Sequence, residues 1–230
     1  MNIAITMTAY RRRTYTAKVL ESLEHCKGIE DCSLYIQVEP HEKKIKTMAR
    51  RATPHTVIND SRLGLNRNTH AVIERCLQEN KTARAILHIE DDTVLSPDAI
   101  LYYQWALKWF GGNPRIFTIS GYNKTTKPPT LEQLGEIETR SWFTCWGWAA
   151  MRHRIVEILE SWSFKNPKSF AGHLNKKVRQ GRKEVYPVVS RIQNIGYNHG
   201  ENGRCWQWYY EHHRSPYVAA RIVEGLWDDV

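Results

Sequence analysis

The sequence predicts an α/β fold built on a mostly parallel sheet, and three observations support this prediction. Segments with the composition of buried strands alternate with segments of helical spacing over residues 1–120, as in α/β proteins. The strand predicted at residues 84–89 is apolar almost throughout, which is typical of a strand covered by helices on both faces. A chain of 230 residues is also long enough to bury the core of one such domain.

Each element follows from a local signal. Strands are predicted where short apolar runs are bounded by polar or turn residues, at 2–8, 33–38, 55–58, 84–89 and 116–120. Helices are predicted from helical spacing of apolar residues, at 14–25, 41–51, 68–78, 97–109, 152–162 and 168–180. Ser96 is the expected N-cap of the fourth helix, Pro97 suits its first position, and the pair Gly111-Gly112 ends it.

Composition narrows the class of protein. The five cysteines are odd in number and form no CxxC pair, so neither a zinc site nor a disulfide framework is expected, which fits a reduced compartment. The basic cluster near the N-terminus follows its apolar run, unlike that of a signal peptide, and no apolar segment is long enough to span a bilayer. We therefore expect a soluble, cytoplasmic protein with no membrane anchor.

Three acidic residues, Glu90-Asp91-Asp92, directly follow the fourth predicted strand. Because like charges at one strand end repel each other, this cluster costs stability unless a cation offsets the charge. In parallel sheets, ligands bind at the carboxyl ends of the strands, which is where the triplet lies. The alternative is a solvated turn, with Asp98 helping the next helix to begin. The position of the triplet favours a ligand site.

The net charge of +9 is not spread evenly along the chain. Residues 165–191, called the basic window below, hold eight basic residues and one acidic residue, a local charge of +7. Such clustering favours a polyanionic partner such as nucleic acid. The alternative is the solvated face of a helix on a basic protein.

Four segments, in order along the chain, resemble one family of enzymes. They are the first strand with Arg11 after it, HIEDDTVLSPD (88–98), CWGWAAM (145–151) and PVVSRIQNIG (187–196). On these motifs the chain resembles the GT-A-fold nucleotide-sugar glycosyltransferases, and especially N-acetylglucosaminyltransferase I and its small bacterial and phage relatives. The resemblance implies one GT-A domain, 1–230. In it, residues 1–120 bind the nucleotide sugar, and residues 121–230 form a small acceptor-side lobe and a lid.

The resemblance also implies the chemistry of sugar transfer from a nucleotide-diphosphate donor, here a UDP-sugar, to an acceptor hydroxyl. The leaving diphosphate gains negative charge, which Mn²⁺ or Mg²⁺ neutralises as a Lewis acid. Such a cation takes most of its ligands from phosphate and water, so one or two protein carboxylates suffice. By resemblance, Asp92 binds the metal, Asp91 faces the ribose, and Glu90 faces the hydroxyls of the donor sugar.

Further site residues come from the same resemblance. Those implied to contact the nucleotide are Arg11, Arg67, His70 and, because the family's base-reading acid falls on Val38, the neighbouring Glu39. Those implied to line the donor sugar are Trp146, Gly147 and Trp148, under a lid at residues 196–203. Several have a simpler alternative: an exposed basic run for Arg11, a structural histidine for His70, core packing for the two tryptophans, and a surface turn for the lid.

The catalytic base is where the sequence departs from the family. Inverting members use an aspartate before the last helix, whereas residues 169–173 contain no carboxylate here. His173 is able to take a proton from an acceptor hydroxyl near neutral pH, and a structural role is the alternative. The stereochemical outcome therefore stays open.

The acceptor is predicted from charge and from the family's layout. The residues expected to bind it are Lys176, Lys177, Arg179, Arg182 and Lys183. A short, basic transferase without a stem favours a nucleic-acid acceptor, such as a hydroxymethylated base in phage DNA. One alternative is a transferase that acts on a bacterial surface glycan or lipid-linked sugar at the cytoplasmic membrane. Another is a non-enzymatic nucleic-acid-binding domain in which the acidic triplet is incidental.

Overall fold

The structure is a computed structural model that describes residues 1–196, 226 and 227. The strands of this part of the chain are β1 (Ile3–Ala9), β2 (Ser33–Val38), β3 (Thr56–Ile58), β4 (Ala85–Glu90), β5 (Thr93–Leu95), β6 (Ile116–Ser120), β7 (Ile137–Arg140), β8 (Trp148–Met151), β9 (Lys183–Pro187) and β10 (Ile192–Asn194). The α-helices are α1 (Arg13–Glu24), α2 (Lys43–Ala52), α3 (Leu65–Glu79), α4 (Ala99–Phe110), α5 (Arg152–Glu160) and the single turn α6 (Ala171–His173). Short 3₁₀ turns span Ile29–Asp31 and Glu132–Leu134, and a π-helical turn spans Leu174–Val178.

Within the described residues, eight strands form one sheet in the order β3-β2-β1-β4-β8-β6-β9-β7. The first four strands are parallel, as are β6 and β9, so the predicted α/β class with a mostly parallel sheet is confirmed. Strand β8 lies between β4 and β6 and is antiparallel to both, so β6 still points the same way as β4. Strands β7, β8 and β9, which follow residue 120, therefore complete the same sheet.

Side chains alternate between two hydrophobic cores, one on each face of the sheet, as the period of two in a strand requires. On β1, Ile3, Ile5 and Met7 join the core that is covered by α1, α2 and α4. The neighbouring Ala4 joins the core that is covered by α3, α5 and the turn at Leu174–Val178. Helices on both faces explain why β4 is fully buried.

Two predicted helix boundaries were wrong. The helix predicted at 168–180 is α6 followed by the π-helical turn, in which the N–H of Arg179 donates to the carbonyl of Leu174 at 2.8 Å. It ends where Gln180 and Gly181 adopt positive φ values of 51° and 79°. Ser96 is not the N-cap of α4. Asp98 is, and the Ser96 hydroxyl donates to its carboxylate at 2.8 Å.

Strands β5, β7, β8, β9 and β10 were not predicted from the apolar runs, because each is short and owes its strand conformation to a distant partner. The pair β5–β10 forms a separate antiparallel ribbon in which Thr93 lies opposite Asn194. This ribbon brings the segment NIG (194–196) against the acidic triplet. No helix within 1–196 is long and apolar enough to cross a membrane.

Candidate active site

Strands β1, β2, β3 and β4 end on the same side of the sheet, which is called the carboxyl edge below. The acidic triplet begins at the last residue of β4 and makes the turn into β5. All three side chains are buried: Glu90 is 8% exposed, Asp91 2% and Asp92 4%. The triplet is therefore not a solvated turn, and its charge has to be balanced from within the molecule or by a ligand.

The counter-charge comes from Arg12, in the loop between β1 and α1. Its guanidinium forms ion pairs with Asp91 through Nη2 and with Asp92 through Nη1. The backbone N–H of Tyr10 donates to the other oxygen of Asp91 at 2.9 Å. Asn194 of β10 donates to the other oxygen of Asp92 at 3.3 Å. All four carboxylate oxygens of the pair thus accept hydrogen bonds.

The electrostatics of the cluster reflect burial and mutual repulsion. Burial raises the pKa of Glu90 above its ordinary value, and the charge of Asp92 raises it further. Burial also raises the pKa of Asp91, while the charge of Arg12 opposes that shift. Burial alone lowers the pKa of Arg12, but the charges of Asp92, Asp91 and Glu90 outweigh it and raise that pKa. The guanidinium is therefore always charged, and it offsets part of the negative charge of this pair of acids.

The donor set fits a hard divalent cation that brings most of its own ligands. Within residues 1–196, no group of three or more histidine, cysteine or acidic side chains converges as a complete metal site. Carboxylate oxygens of Asp91 and Asp92 are the ligand type that Mn²⁺ and Mg²⁺ prefer, and one or two suffice when phosphate and water supply the rest. A cation that binds the Asp92 oxygen facing Arg12 has to compete with the guanidinium of Arg12.

Arg12 was missed by the sequence prediction, which selected Arg11. Arg11 is exposed, and its guanidinium lies 4.8 Å from the ring centre of Tyr10, with that of Arg62 4.9 Å from the same ring. The backbone of Arg11 has a φ of 59°, a left-handed conformation that turns the chain between Tyr10 and Arg12. In a run of three arginines, no local signal tells which one this turn aims at the acids.

Glu39 lies one residue beyond β2, at the carboxyl edge, and is 3% exposed. Its carboxylate accepts the backbone N–H groups of Leu63 and Gly64, the latter at 2.8 Å, and the side chain of Asn59 at 3.2 Å. Both oxygens are used to hold the loop before α3. A role for Glu39 in nucleotide binding stays a prediction.

Arg67 and His70 lie in the first half of α3, as predicted, and both contact aromatic rings. The Arg67 guanidinium is 4.7 Å from the ring centre of Phe164, and His70 packs edge-on against Phe164 and Trp162. Burial lowers the pKa of His70, while the carboxylate of Glu74 opposes that shift. These contacts favour a structural role for His70.

Of the two tryptophans predicted to line the donor sugar, Trp148 lies in the core and Trp146 lies nearer the surface. Trp148 is fully buried on β8 against Phe143, with its Nε1 lacking a hydrogen-bond partner among the described residues. Trp146 is half-buried and packs edge-on against Tyr122. Gly147 has a φ of 53°, and a Cβ there would lie 2.6 Å from Ile192 Cδ1, so backbone and packing both require glycine. Packing thus accounts for Trp148, whereas Trp146 remains a candidate for ligand contact.

The structure places His173 against the end of α5 and Lys183 at the start of β9. His173 Nε2 is 2.7 Å from the backbone oxygen of Ser161, at the end of α5. Lys183 begins β9 and lies opposite Ile116, the first residue of β6, at the edge of the sheet opposite the carboxyl edge. The structure therefore does not bring this end of the window to the acidic triplet.

Two arginines of the basic window hold the chain together. Arg182 pairs with Glu157 of α5, and Arg179 donates to the backbone oxygen of Arg182. Lys176 and Lys177, on the π-helical turn, are exposed and accessible to an anionic partner. The predicted lid at 196–203 lies outside the described residues apart from Gly196.

An eight-stranded, mostly parallel sheet with helices on both faces is the GT-A fold. The model of the GNT-I family matches residues 21–222, which is most of the chain. The protein therefore belongs to the GNT-I family. No protein with a curated function matches the sequence significantly.

Solved structures with the same fold are distant in sequence. A mannosyltransferase from Pyrobaculum calidifontis, PcManGT, in complex with GDP-Man and Mn²⁺, superposes with a TM-score of 0.57 at 14% identity, over 80% of this chain and 54% of that one. S. aureus TarS 1-349 in complex with UDP superposes with a TM-score of 0.56 at 8% identity, over 84% of this chain and 60% of that one. Identities this low establish the shared fold alone, and the chain spans little more than half the length of these two neighbours.

Proposed function

We propose that the protein transfers a sugar from a nucleotide-diphosphate donor to an acceptor hydroxyl, with a divalent cation held at Asp92. The observation that carries this proposal is the buried pair Asp91–Asp92 at the carboxyl end of β4, facing the loop after β1. Buried acids in this position are costly unless they bind a cation. Family membership and the nucleotide-bound neighbours support the same reaction.

The residues divide the work of binding. Asp92 holds Mn²⁺ or Mg²⁺, which when bound neutralises the charge of the leaving diphosphate. Asp91, fixed by the N–H of Tyr10, is oriented toward the ribose, and Glu90 toward the donor sugar. Arg11 and Arg62, whose guanidinium groups lie 4.8 Å and 4.9 Å from the centre of the Tyr10 ring, give this region the positive charge that a diphosphate requires.

The base of the donor nucleotide is proposed as uracil, with guanine as the alternative to test. Glu39 is the acid closest to the family's base-reading position, but its oxygens already accept two backbone N–H groups. Reading the N–H of uracil through Glu39 would require those bonds to open. A panel of UDP- and GDP-sugars therefore distinguishes the two donors.

His173 is proposed as the group that takes the proton of the acceptor. If Nε2–H donates to the backbone oxygen of Ser161, the lone pair of Nδ1 is free to accept a proton. This arrangement would fix the ring in one tautomer, as a general base requires. Nδ1 therefore has to be within reach of the bound acceptor.

The acceptor proposal of hydroxymethylated DNA depends on the basic window. Because Arg179, Arg182 and Lys183 bond within the chain, Lys176 and Lys177 would have to supply the contacts with phosphate. A cytoplasmic surface-glycan transferase is the competing proposal, and a non-catalytic nucleic-acid-binding domain is the other.

Donor hydrolysis and acceptor transfer test these proposals separately. We expect release of UDP or GDP from a nucleotide sugar that requires Mn²⁺ or Mg²⁺ and is abolished by a chelator. Absence of hydrolysis with every donor in the panel would support the non-catalytic domain. Modified duplex DNA and lipid-linked sugars are then offered as acceptors. A gel-shift titration that detects no DNA binding even at low salt would exclude the nucleic-acid acceptor.

A further inference from the structure

The cation site proposed above is already filled by a side chain of the protein itself. The guanidinium of Arg12 bonds to one oxygen of Asp91 and one oxygen of Asp92, and neighbouring N–H groups take the other two oxygens. Each oxygen of the pair therefore already accepts a hydrogen bond. A cation that binds Asp92 through the oxygen facing Arg12 has to compete with a charge-assisted hydrogen bond.

The backbone of Arg12 is held in place by hydrogen bonds, so release from the two acids would move its side chain alone. Its backbone N–H donates to Tyr10 at 2.7 Å, and its carbonyl accepts from the backbone N–H and the hydroxyl of Thr16 at 2.9 Å and 3.1 Å. The side chain is 18% exposed, whereas those of Asp91 and Asp92 are 3% and 5% exposed. The acids are fixed and enclosed, and the arginine reaches them from the solvent side.

Gly196 closes the same pair from the other direction. A Cβ at this position would overlap the Asp92 oxygen that faces Arg12, and it would lie 2.8 Å from Arg12 Nη1. The backbone N–H of Ile195 also donates to the Asp92 carbonyl at 2.8 Å. The ion pair is thus enclosed by the end of the β5–β10 ribbon, which limits the space in which a cation and a guanidinium could coexist.

We propose that Arg12 is a resident counter-cation that competes with the divalent metal for Asp92. This inference rests on the proposed function and adds a coupling between cation binding and donor binding. A bare cation has to break the Arg12 pair and leave a positive charge beside itself, so it binds weakly. A cation that arrives with a nucleotide diphosphate brings negative charge that partners the released guanidinium. The arginine therefore favours the metal–nucleotide complex over free metal, which ties cation binding to donor binding.

Mn²⁺ binding in the absence of a sugar donor tests this proposal directly. Free Mn²⁺ is counted by electron paramagnetic resonance during titration of the parent protein, Arg12→Gln and Arg13→Gln. Arg13 is an exposed arginine one position further on, so its variant loses the same charge without touching the acids. We expect Arg12→Gln to bind Mn²⁺ about tenfold more tightly than the parent, as a typical coupling between two ligands implies. The Arg13→Gln affinity should stay within about twofold, as for a surface substitution.

Repeating the titration with UDP and with GDP completes the test. We expect the nucleotide to strengthen Mn²⁺ binding in the parent by a larger factor than in Arg12→Gln, because only the parent has a guanidinium to release. Thermal unfolding should show that metal-free Arg12→Gln is less stable than the parent and regains stability with Mn²⁺. If Arg12→Gln does not fold, Arg12→Lys keeps a cation that cannot bridge both acids and should give an intermediate gain.

Two results would overturn the proposal, and they differ in what they imply for function. Equal Mn²⁺ affinity in the parent and Arg12→Gln, with nucleotide-dependent binding intact, would remove the counter-cation role and leave the metal-dependent transferase standing. If neither the parent nor any variant binds Mn²⁺, with or without nucleotide, both the counter-cation role and the metal-dependent transferase are excluded. Donor hydrolysis that continues in a chelator would confirm the second case.

Discussion

Two arginine–carboxylate sites arise from the single segment HIEDDTVLSPD, and they differ in what surrounds them. At the carboxyl edge, Arg12 pairs with Asp91 and Asp92 and its side chain is 18% exposed. Six residues further on, Asp98 pairs with Arg191 at 2.9 Å, and these side chains are 1% and 0% exposed. The chemistry of the two pairs is the same, but only the first can exchange its cation with one from solution.

The interior pair is satisfied from all sides. Arg191 also donates to the backbone oxygens of Val189 and Leu134, and the indole N–H of Trp227 donates to Asp98 at 3.0 Å. These bonds hold the start of α4, the 3₁₀ turn at Glu132–Leu134 and the approach to β10 in one place. The interior pair thus positions the ribbon that carries Asn194 to Asp92, while the edge pair forms the site.

Breaking the interior pair should have the largest effect. We expect Arg191→Met to lower the free energy of unfolding by about 3–5 kcal/mol, because Asp98 stays buried without its charged partner. Urea unfolding measures this loss. Arg115→Met, at an exposed arginine, is the control and should change stability by less than about 0.5 kcal/mol. An equal loss in Arg12→Met would erase the distinction between the two sites.

Removing the negative charge of Asp92 at the carboxyl edge should affect nucleotide binding more than it affects folding. We expect Asp92→Asn to weaken Mn²⁺-supported nucleotide binding about a hundredfold, because the Lewis-acid cation loses its anionic ligand. Calorimetry with UDP and with GDP in the presence of Mn²⁺ measures the change. Asp60→Asn, at an exposed acid on the loop after β3, serves as the matched control. Unchanged affinity and turnover in Asp92→Asn would mean that the cation binds elsewhere.

Adding a methyl group next to Asp92 at the carboxyl edge should also weaken nucleotide binding, but by less than the loss of the Asp92 charge. In Gly196→Ala the new methyl group would overlap the Asp92 carboxylate, so we expect metal-supported nucleotide binding to fall about tenfold in a folded protein. Gly172→Ala is the control, since a Cβ there meets no described atom within 4 Å. Binding equal to that of the parent would show that Gly196 is able to move away from Asp92.

The smallest expected change concerns His173, which lies outside both pairs. Loss of its bond to the Ser161 carbonyl in His173→Ala should cost about 1 kcal/mol of stability. If the ring is the catalytic base, transfer slows while nucleotide binding stays intact. His153→Ala, at an exposed histidine on α5, controls for the loss of an imidazole. Transfer rates equal to those of the parent from about pH 5 to 9 would assign the base to another group.

The sequence by itself determined the framework and the position of the acids. Apolar runs and helical spacing located β1 to β4, β6 and the helices between them, because burial on one or both faces imposes those patterns locally. The triplet Glu90-Asp91-Asp92 was predictable as a site, since a charged cluster cannot lie at the end of a buried strand without compensation. The family motifs pointed to the same edge of the sheet.

The tertiary structure alone decided which groups meet those acids. Arg12 and Asp92 are 80 residues apart in the sequence, and the turn at Arg11 determines that Arg12, among three adjacent arginines, reaches Asp92. Arg191, counted in the basic window as surface charge, is instead fully buried against Asp98. Strand β8 enters the sheet between β4 and β6, and the start of β9 lies at the edge opposite the triplet. Contacts of this range depend on strand order and register, which local patterns of hydrophobicity and charge do not encode.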